Sequence, residues 1–255
     1  MTSEQGTETS AAQLLAAADE ALIEAGFRTG DFGEAERLAG AALKRAGLEG
    51  DPAAEAAAWH VLGHVLHYRS ITHLMAGGKP DPADVAAERE AFDRSLAGYE
   101  RLGDDAGIAR AAFGIGVFEQ VLHRDWDAAM PYYRRCEALI PALELTGDLY
   151  TRSEIHRHLG FYHLVADRQP ATAVQHLQIS LDLREQQGEP RREPSGLVAL
   201  GWAERENGNP RRAVLLLRRA VEAARAAGLL PARIADAESE LAQAEAELAE
   251  QEAGR

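Results

Sequence analysis

Four histidines, His60, His64, His67 and His73, fall within the fifteen-residue stretch WHVLGHVLHYRSITH that begins at Trp59. On a helix turning about 100° per residue, His64 lies about 40° from His60 and His67 about 20° to the other side. The three therefore share one stripe. Imidazoles at i and i+4 can bind one transition ion, as the two histidines of H-E-x-x-H helices do. His60 and His67 are about 10 Å apart along the axis, too far for three ligands on one straight helix. A site would use His60 with His64, or His64 with His67, and complete itself from His73, Glu119, His123 or His156. The metal candidates are thus His60, His64 and His67 on this stripe and His123 beyond it. Zn, Cu, Fe and Ni all suit imidazole. Without metal, His64 and His67 remain candidates for acid/base catalysis or pH sensing. Hydrogen-bonded packing between helices is the plainer alternative.

Other chemical signals are weaker. Ser153 and Ser195 lack the G-x-S-x-G context of a nucleophile elbow. Gly114-Ile115-Gly116 follows no strand, so it is no dinucleotide fingerprint. The one cysteine, Cys136, excludes an internal disulfide framework and a cysteine-based zinc site. It reads as a buried structural thiol.

Charge narrows the partners. The 255 residues carry 27 Lys+Arg against 41 Asp+Glu, a net −14. That balance argues against nucleic acid and against an anionic membrane surface. No apolar stretch is long enough to span a bilayer, and MTSEQGTETS lacks the basic and apolar regions of a signal peptide. A cytoplasmic protein is expected.

The elements that must position these groups are helices. Ala, Leu, Glu and Arg dominate, and Val/Ile/Thr alternations are few. Glycines in turn-like GlyAsp or GlyGlu contexts, Gly50, Gly103, Gly147 and Gly188, are separated by 53, 44 and 41 residues. A second series, Gly63, Gly116, Gly160 and Gly201, repeats those separations 13 residues later. Matched pairs of this kind imply internal repeats of about 40 residues. Each second glycine sits in an apolar helical pattern, and a glycine there costs up to about 1 kcal/mol relative to alanine. Close approach of a neighbouring helix would explain it. Downstream come small–large–small stripes: Ala129, Tyr133, Cys136; Ala173, Leu177, Ser180; and Ala213, Leu217, Ala220. Ala35, Ala39 and Ala42 form a fainter copy.

These residues resemble the tetratricopeptide repeat, whose pattern is W-x2-L-G-x2-Y followed by A-x3-F and a helix-ending proline. The long period is similar to that of bacterial regulatory proteins. The resemblance covers about residues 11–230 and is strongest from Leu197 to Ala220. It departs where Leu66, Glu119, His163 and Glu204 replace the expected tyrosine, and where two units carry one extra residue between glycine and alanine. The implied fold is all-α: a right-handed α-solenoid of about five stacked antiparallel helix pairs. Residues 1–10 are expected to be a disordered tail, 69–83 a Gly/Pro-rich loop insertion, and 231–255 a capping helix. Ile234, Leu241 and Leu248, seven apart, leave a homodimer seam as the alternative for that last helix. His156, His158 and His163 form a second cluster, of which His156 and His163 take inter-helix positions.

Carrying the family's groove positions onto this chain gives His60, His64, His67, Phe113, Val117, Gln120, Arg157, Phe161, Trp202 and Arg205. Apolar rings with a few polar groups suit a small molecule or an anchoring side chain. Two functions follow. One is an interaction protein holding a peptide or protein segment, with Phe113, Phe161 and Trp202 as anchors and Arg157 on a carboxylate or carbonyl. The other is a small-molecule enzyme, with or without a transition metal, in which His60, His64 and His67 do the chemistry, Arg157 stabilises an anion, and the insertion screens solvent.

Overall fold

A computed structural model describes residues 9–253, so most of the expected tail, residues 1–8, lies outside it. Ser10 already belongs to the first helix: its hydroxyl accepts from the Gln13 amide while the Gln13 side chain accepts from the Ser10 amide, a reciprocal capping box. Every regular element among the described residues is helical.

The chain forms two compact units, one up to Gly114 and one from Ile115. The first holds α1 (Ala11–Glu24), α2 (Gly33–Glu49), α3 (Pro52–Met75), α4 (Pro82–Leu102) and most of α5 (Asp105–Phe118). The second holds α6 (Trp126–Ala138), α7 (Ile140–Thr146), α8 (Leu149–Phe161), α9 (Pro170–Gln187), α10 (Glu193–Glu206), α11 (Pro210–Ala226) and α12 (Pro231–Ala253). Within each unit a helix packs on its successor, and α1 also meets α3 while α10 also meets α12. This is the stacked helix-pair arrangement of an all-α, solenoid-like fold.

The turn glycines do what their spacing implies. Gly50, Gly103, Gly147 and Gly188 take left-handed backbone with φ between 65° and 71° and end α2, α4, α7 and α9. At the first three, the next residue caps the following helix: Asp51, Asp104 and Asp148 each accept backbone amides.

The mid-helix glycines are close-approach sites. A β-carbon on Gly160 would lie 2.6 Å from Leu177 Cγ, and one on Gly201 would lie 2.6 Å from Leu217 Cγ. Those leucines are the large members of the two stripes, and both stripes are buried throughout. The same fit pairs Gly116 with Tyr133.

The extra residue in two units is absorbed locally. Glu119–His123 and Tyr162–Ala166 form π-type turns at the ends of α5 and α8, whereas α10, with the shorter spacing, has none. A widened i→i+5 turn is the usual way to accommodate one inserted residue.

One expectation changes, and two packing details are added. The insertion 69–83 is not one loop: α3 continues to Met75 and only Ala76–Asp81 leaves helical geometry. Arg69 supports that extension through Asp84 at 2.8 Å and Glu36 at 2.9 Å. The corresponding stripe in this repeat, unseen in the sequence, is Glu88, Phe92 and Ser95, all buried, with a glutamate in the small position. Finally, the heptad residues of α12 are used internally. Leu241 and Leu248 pack with Ala213, Val214 and Leu217, and Ala244 is fully buried there. Leu241 and Leu248 are thereby partly buried against α11.

No helix among the described residues is long and apolar enough to cross a membrane. Cys136 is fully buried, and burial pushes its thiol up to about 12. The native protein is therefore expected to leave a disulfide dye reagent unreacted at pH 8, with one thiol per chain appearing on denaturation.

Candidate functional site

The expected groove residues separate into two groups. On α3, His67 is 3% exposed and its Nδ1 lies 2.7 Å from Glu88 Oε1, itself completely buried. His64 is buried with its ring edge-on to Phe92, centroids 5.2 Å apart. His60 sets its ring edge-on to His64 at 4.5 Å and is half-buried. The stripe exists, but its rings meet one another, an aromatic and a carboxylate rather than an open groove. Phe113 and Val117 are likewise buried, at 4% exposure each, and do not line an accessible surface.

His123 pairs with Glu119 at 2.8 Å on its own turn and stacks edge-on to Phe118. Among the described residues, no three His, Cys, Asp or Glu side chains are placed to hold a metal ion. Arg205 is also tied down. Its guanidinium bonds Glu240 at 2.8 Å and Gln243 at 3.1 Å on α12, so the capping helix takes the hydrogen bonds that a ligand would have used.

The second group remains open and contiguous. Arg157 and Phe161 stand on α8, one turn apart, with the guanidinium 5.2 Å from the ring centre. Phe161 then meets Trp202 of α10 at 5.9 Å. The indole Nε1–H donates to Glu206 at 3.3 Å. Both rings also pack on the buried cluster around Leu177, Leu197 and Leu200, so each is half core and half surface. Val165, 44% exposed, extends this face by one turn. A cation, two rings and an exposed valine thus run across two first helices of successive pairs.

Beneath the face lies a buried polar network. Glu154 of α8 is 5% exposed and accepts from Arg184 of α9 through one oxygen and from Arg157, at 3.3 Å, through the other. Arg184 Nη1 also donates to the Arg192 carbonyl at 2.6 Å and to Ser195 Oγ at 2.9 Å, tying α9 to the start of α10. Arg157 Nη2 donates to His158 Nε2 at 3.3 Å. A guanidinium can only donate, so the His158 proton sits on Nδ1 and points to Gln120 Oε1 at 2.5 Å. Tyr133 donates to the same oxygen at 2.6 Å. Burial alone would raise the Glu154 carboxyl; Arg157 and Arg184 outweigh it and hold the group well below the usual carboxylate range.

Gln120 and Arg157, read from family positions as groove residues, thus have a second task. Gln120 satisfies Tyr133 and His158, and Arg157 is oriented by Glu154. Glu154 and Arg184 escaped the sequence reading because they lie 30 residues apart with nothing local to link them. A buried arginine in the second helix of a pair has no periodic signature.

A scan against protein-family models finds no match, and no curated protein matches. Among solved structures, the crystal structure of BtubC (BKLC) from P. vanneervenii is similar, with a TM-score of 0.55 and 18% sequence identity. The alignment covers 86% of this chain and 92% of that one. At such identity the likeness shows the all-α fold alone.

Proposed function

We propose that this chain is a tetratricopeptide-type interaction protein, and that it holds a peptide or protein segment on the face made by α8 and α10. The observation that carries the reading is the aligned set Arg157, Phe161 and Trp202, partly exposed and fixed from below by the Glu154 network. Half-exposed aromatic anchors beside an arginine are the usual energetic centre of a protein–protein contact. The recognised segment would present an apolar side chain to the two rings and a carboxylate or carbonyl oxygen to Arg157. A cytoplasmic setting accompanies this reading.

The catalytic reading of the α3 histidines gains no support from their surroundings, since His64 and His67 are sealed by Phe92 and Glu88.

The test begins with a peptide library selected on the tag-free protein. Trp202→Ala is expected to weaken the selected peptides at least tenfold, and Arg157→Ala to weaken those with an acidic residue most. Far-UV circular dichroism should show both variants still helical. Undiminished binding in both would remove this face from the function.

A further inference from the structure

On the α8–α9 pair, two imidazoles meet that sequence reading did not connect. His156 Nδ1 of α8 and His176 Nδ1 of α9 lie 3.1 Å apart. Their rings are 5.3 Å apart between centroids. A third imidazole, His163, stacks almost parallel on His176, with an interplanar angle of 16° and a separation of 5.4 Å. His163 is itself braced by Asp167, whose Oδ2 lies 3.0 Å from Nδ1.

We infer that His156 and His176 form a two-point chelate for a divalent transition ion, one that ties α8 to α9. The distance is the first argument. Two imidazole nitrogens about 2.0–2.1 Å from a shared ion, at angles between square and tetrahedral, lie about 2.9–3.4 Å apart. The observed nitrogen pair already falls in that interval, so binding needs little movement of either helix.

The second argument is availability. Both rings are half-buried, and the outer coordination positions would be filled by water. Imidazole binds a metal ion in its neutral form. Without an ion, one Nδ1–H donates to the other nitrogen's lone pair, so the empty site is stable. The charges nearby partly cancel: Arg152 acts on His156 and Glu137 on His176. Imidazole pairs suit Zn, Cu or Ni, with Cu2+ bound tightest.

The pairing is independent of the peptide face. It uses neither Phe161 nor Trp202, and it differs from the α3 stripe, whose rings meet each other edge-on.

The experiment is calorimetric titration of the tag-free, full-length protein with Zn2+, beside His156→Ala, His176→Ala and a His60→Ala/His64→Ala double variant. One ion per chain is expected. Affinity should fall at least tenfold in each single variant and stay within twofold of wild type in the double variant. Cu2+ electron paramagnetic resonance should show coupling to two imidazole nitrogens in the wild type and one in either single variant. If alanine at His176 disturbs folding, His176→Gln keeps the bulk and should lose the ion equally. No Zn2+ binding by the wild type, or binding that survives both single substitutions, overturns the inference. So does loss confined to the α3 double variant.

Discussion

Replacing Glu154 with alanine is expected to destabilise the second unit by about 3–5 kcal/mol, the usual cost of breaking a buried ion pair from one side. Arg184 has 2% of its side chain exposed and pairs with Glu154. Arg157 loses the carboxylate that orients it over Phe161. The loss is therefore both global and local: a lower denaturant midpoint, and a weaker peptide face. Because the carboxyl is held below its ordinary value of 4.5 in the fold, its contribution is complete above that value. It is lost as pH falls below 4.5 toward the depressed folded-state value. Glu154→Gln should accordingly show a shallower fall of stability in acid than the wild type. Chemical denaturation at several pH values from 3 to 7 measures both effects. Equal midpoints for wild type and Glu154→Ala at pH 7 would contradict the role assigned to the network.

Phe92→Ala is expected to cost about 3–5 kcal/mol, as large aromatic truncations in a closed core do. Phe92 is fully buried and wedges between α3 and α5, where glycines make room for it on both sides. A β-carbon on Gly63 would lie 2.6 Å from its ring, and one on Gly114 2.4 Å away. This predicts a change of sign that simple additivity misses. In the wild type, Gly63→Ala overpacks the ring, at about 1–3 kcal/mol, which exceeds the gain of up to about 1 kcal/mol in helix propensity. With Phe92 already alanine the clash is gone and only the propensity gain remains, so Gly63→Ala should then stabilise. Urea midpoints of the two single variants and the double variant complete the cycle. A Gly63→Ala effect of the same sign in both backgrounds would mean the glycine is not there for the ring.

What the sequence disclosed was whatever repeats at short range. Each glycine and the stripe it meets, ending at Cys136, Ser180 or Ala220, sit within a single helix hairpin, so period alone located the close contacts. The second repeat hid its stripe because α3 runs on to Met75 and Glu88 occupies a position where the pattern expects a small residue. That same glutamate answers why His67 lies on the stripe: it is half of a buried pair. Gly77, Gly78, Pro80 and Pro82 correctly marked a break, but they said nothing about Arg69–Met75, which Asp84 and Glu36 hold in helix.

Groove residues carried over by position fared unevenly for a related reason. Position on a helix specifies direction, but exposure depends on what the next elements bring. Arg205 has the direction of a groove residue, yet α12 supplies Glu240 and Gln243 to it. Arg157, Phe161 and Trp202 stay partly exposed, and they form the proposed face. The Glu154–Arg184 and His156–His176 contacts join different helices of a pair, and no local pattern announces either.

The central claim is that binding occurs on α8 and α10. Hydrogen exchange of the full chain, with and without a selected peptide, tests it most directly. Added protection is expected over residues 157–165 and 198–206, with little change on α9 and α11. The open cleft of about 410 Å³ where Arg211 and Arg212 face Leu248 and Glu252 supplies the internal control. Protection concentrated at that cleft, or on the α3 stripe, with α8 and α10 unchanged would contradict the account.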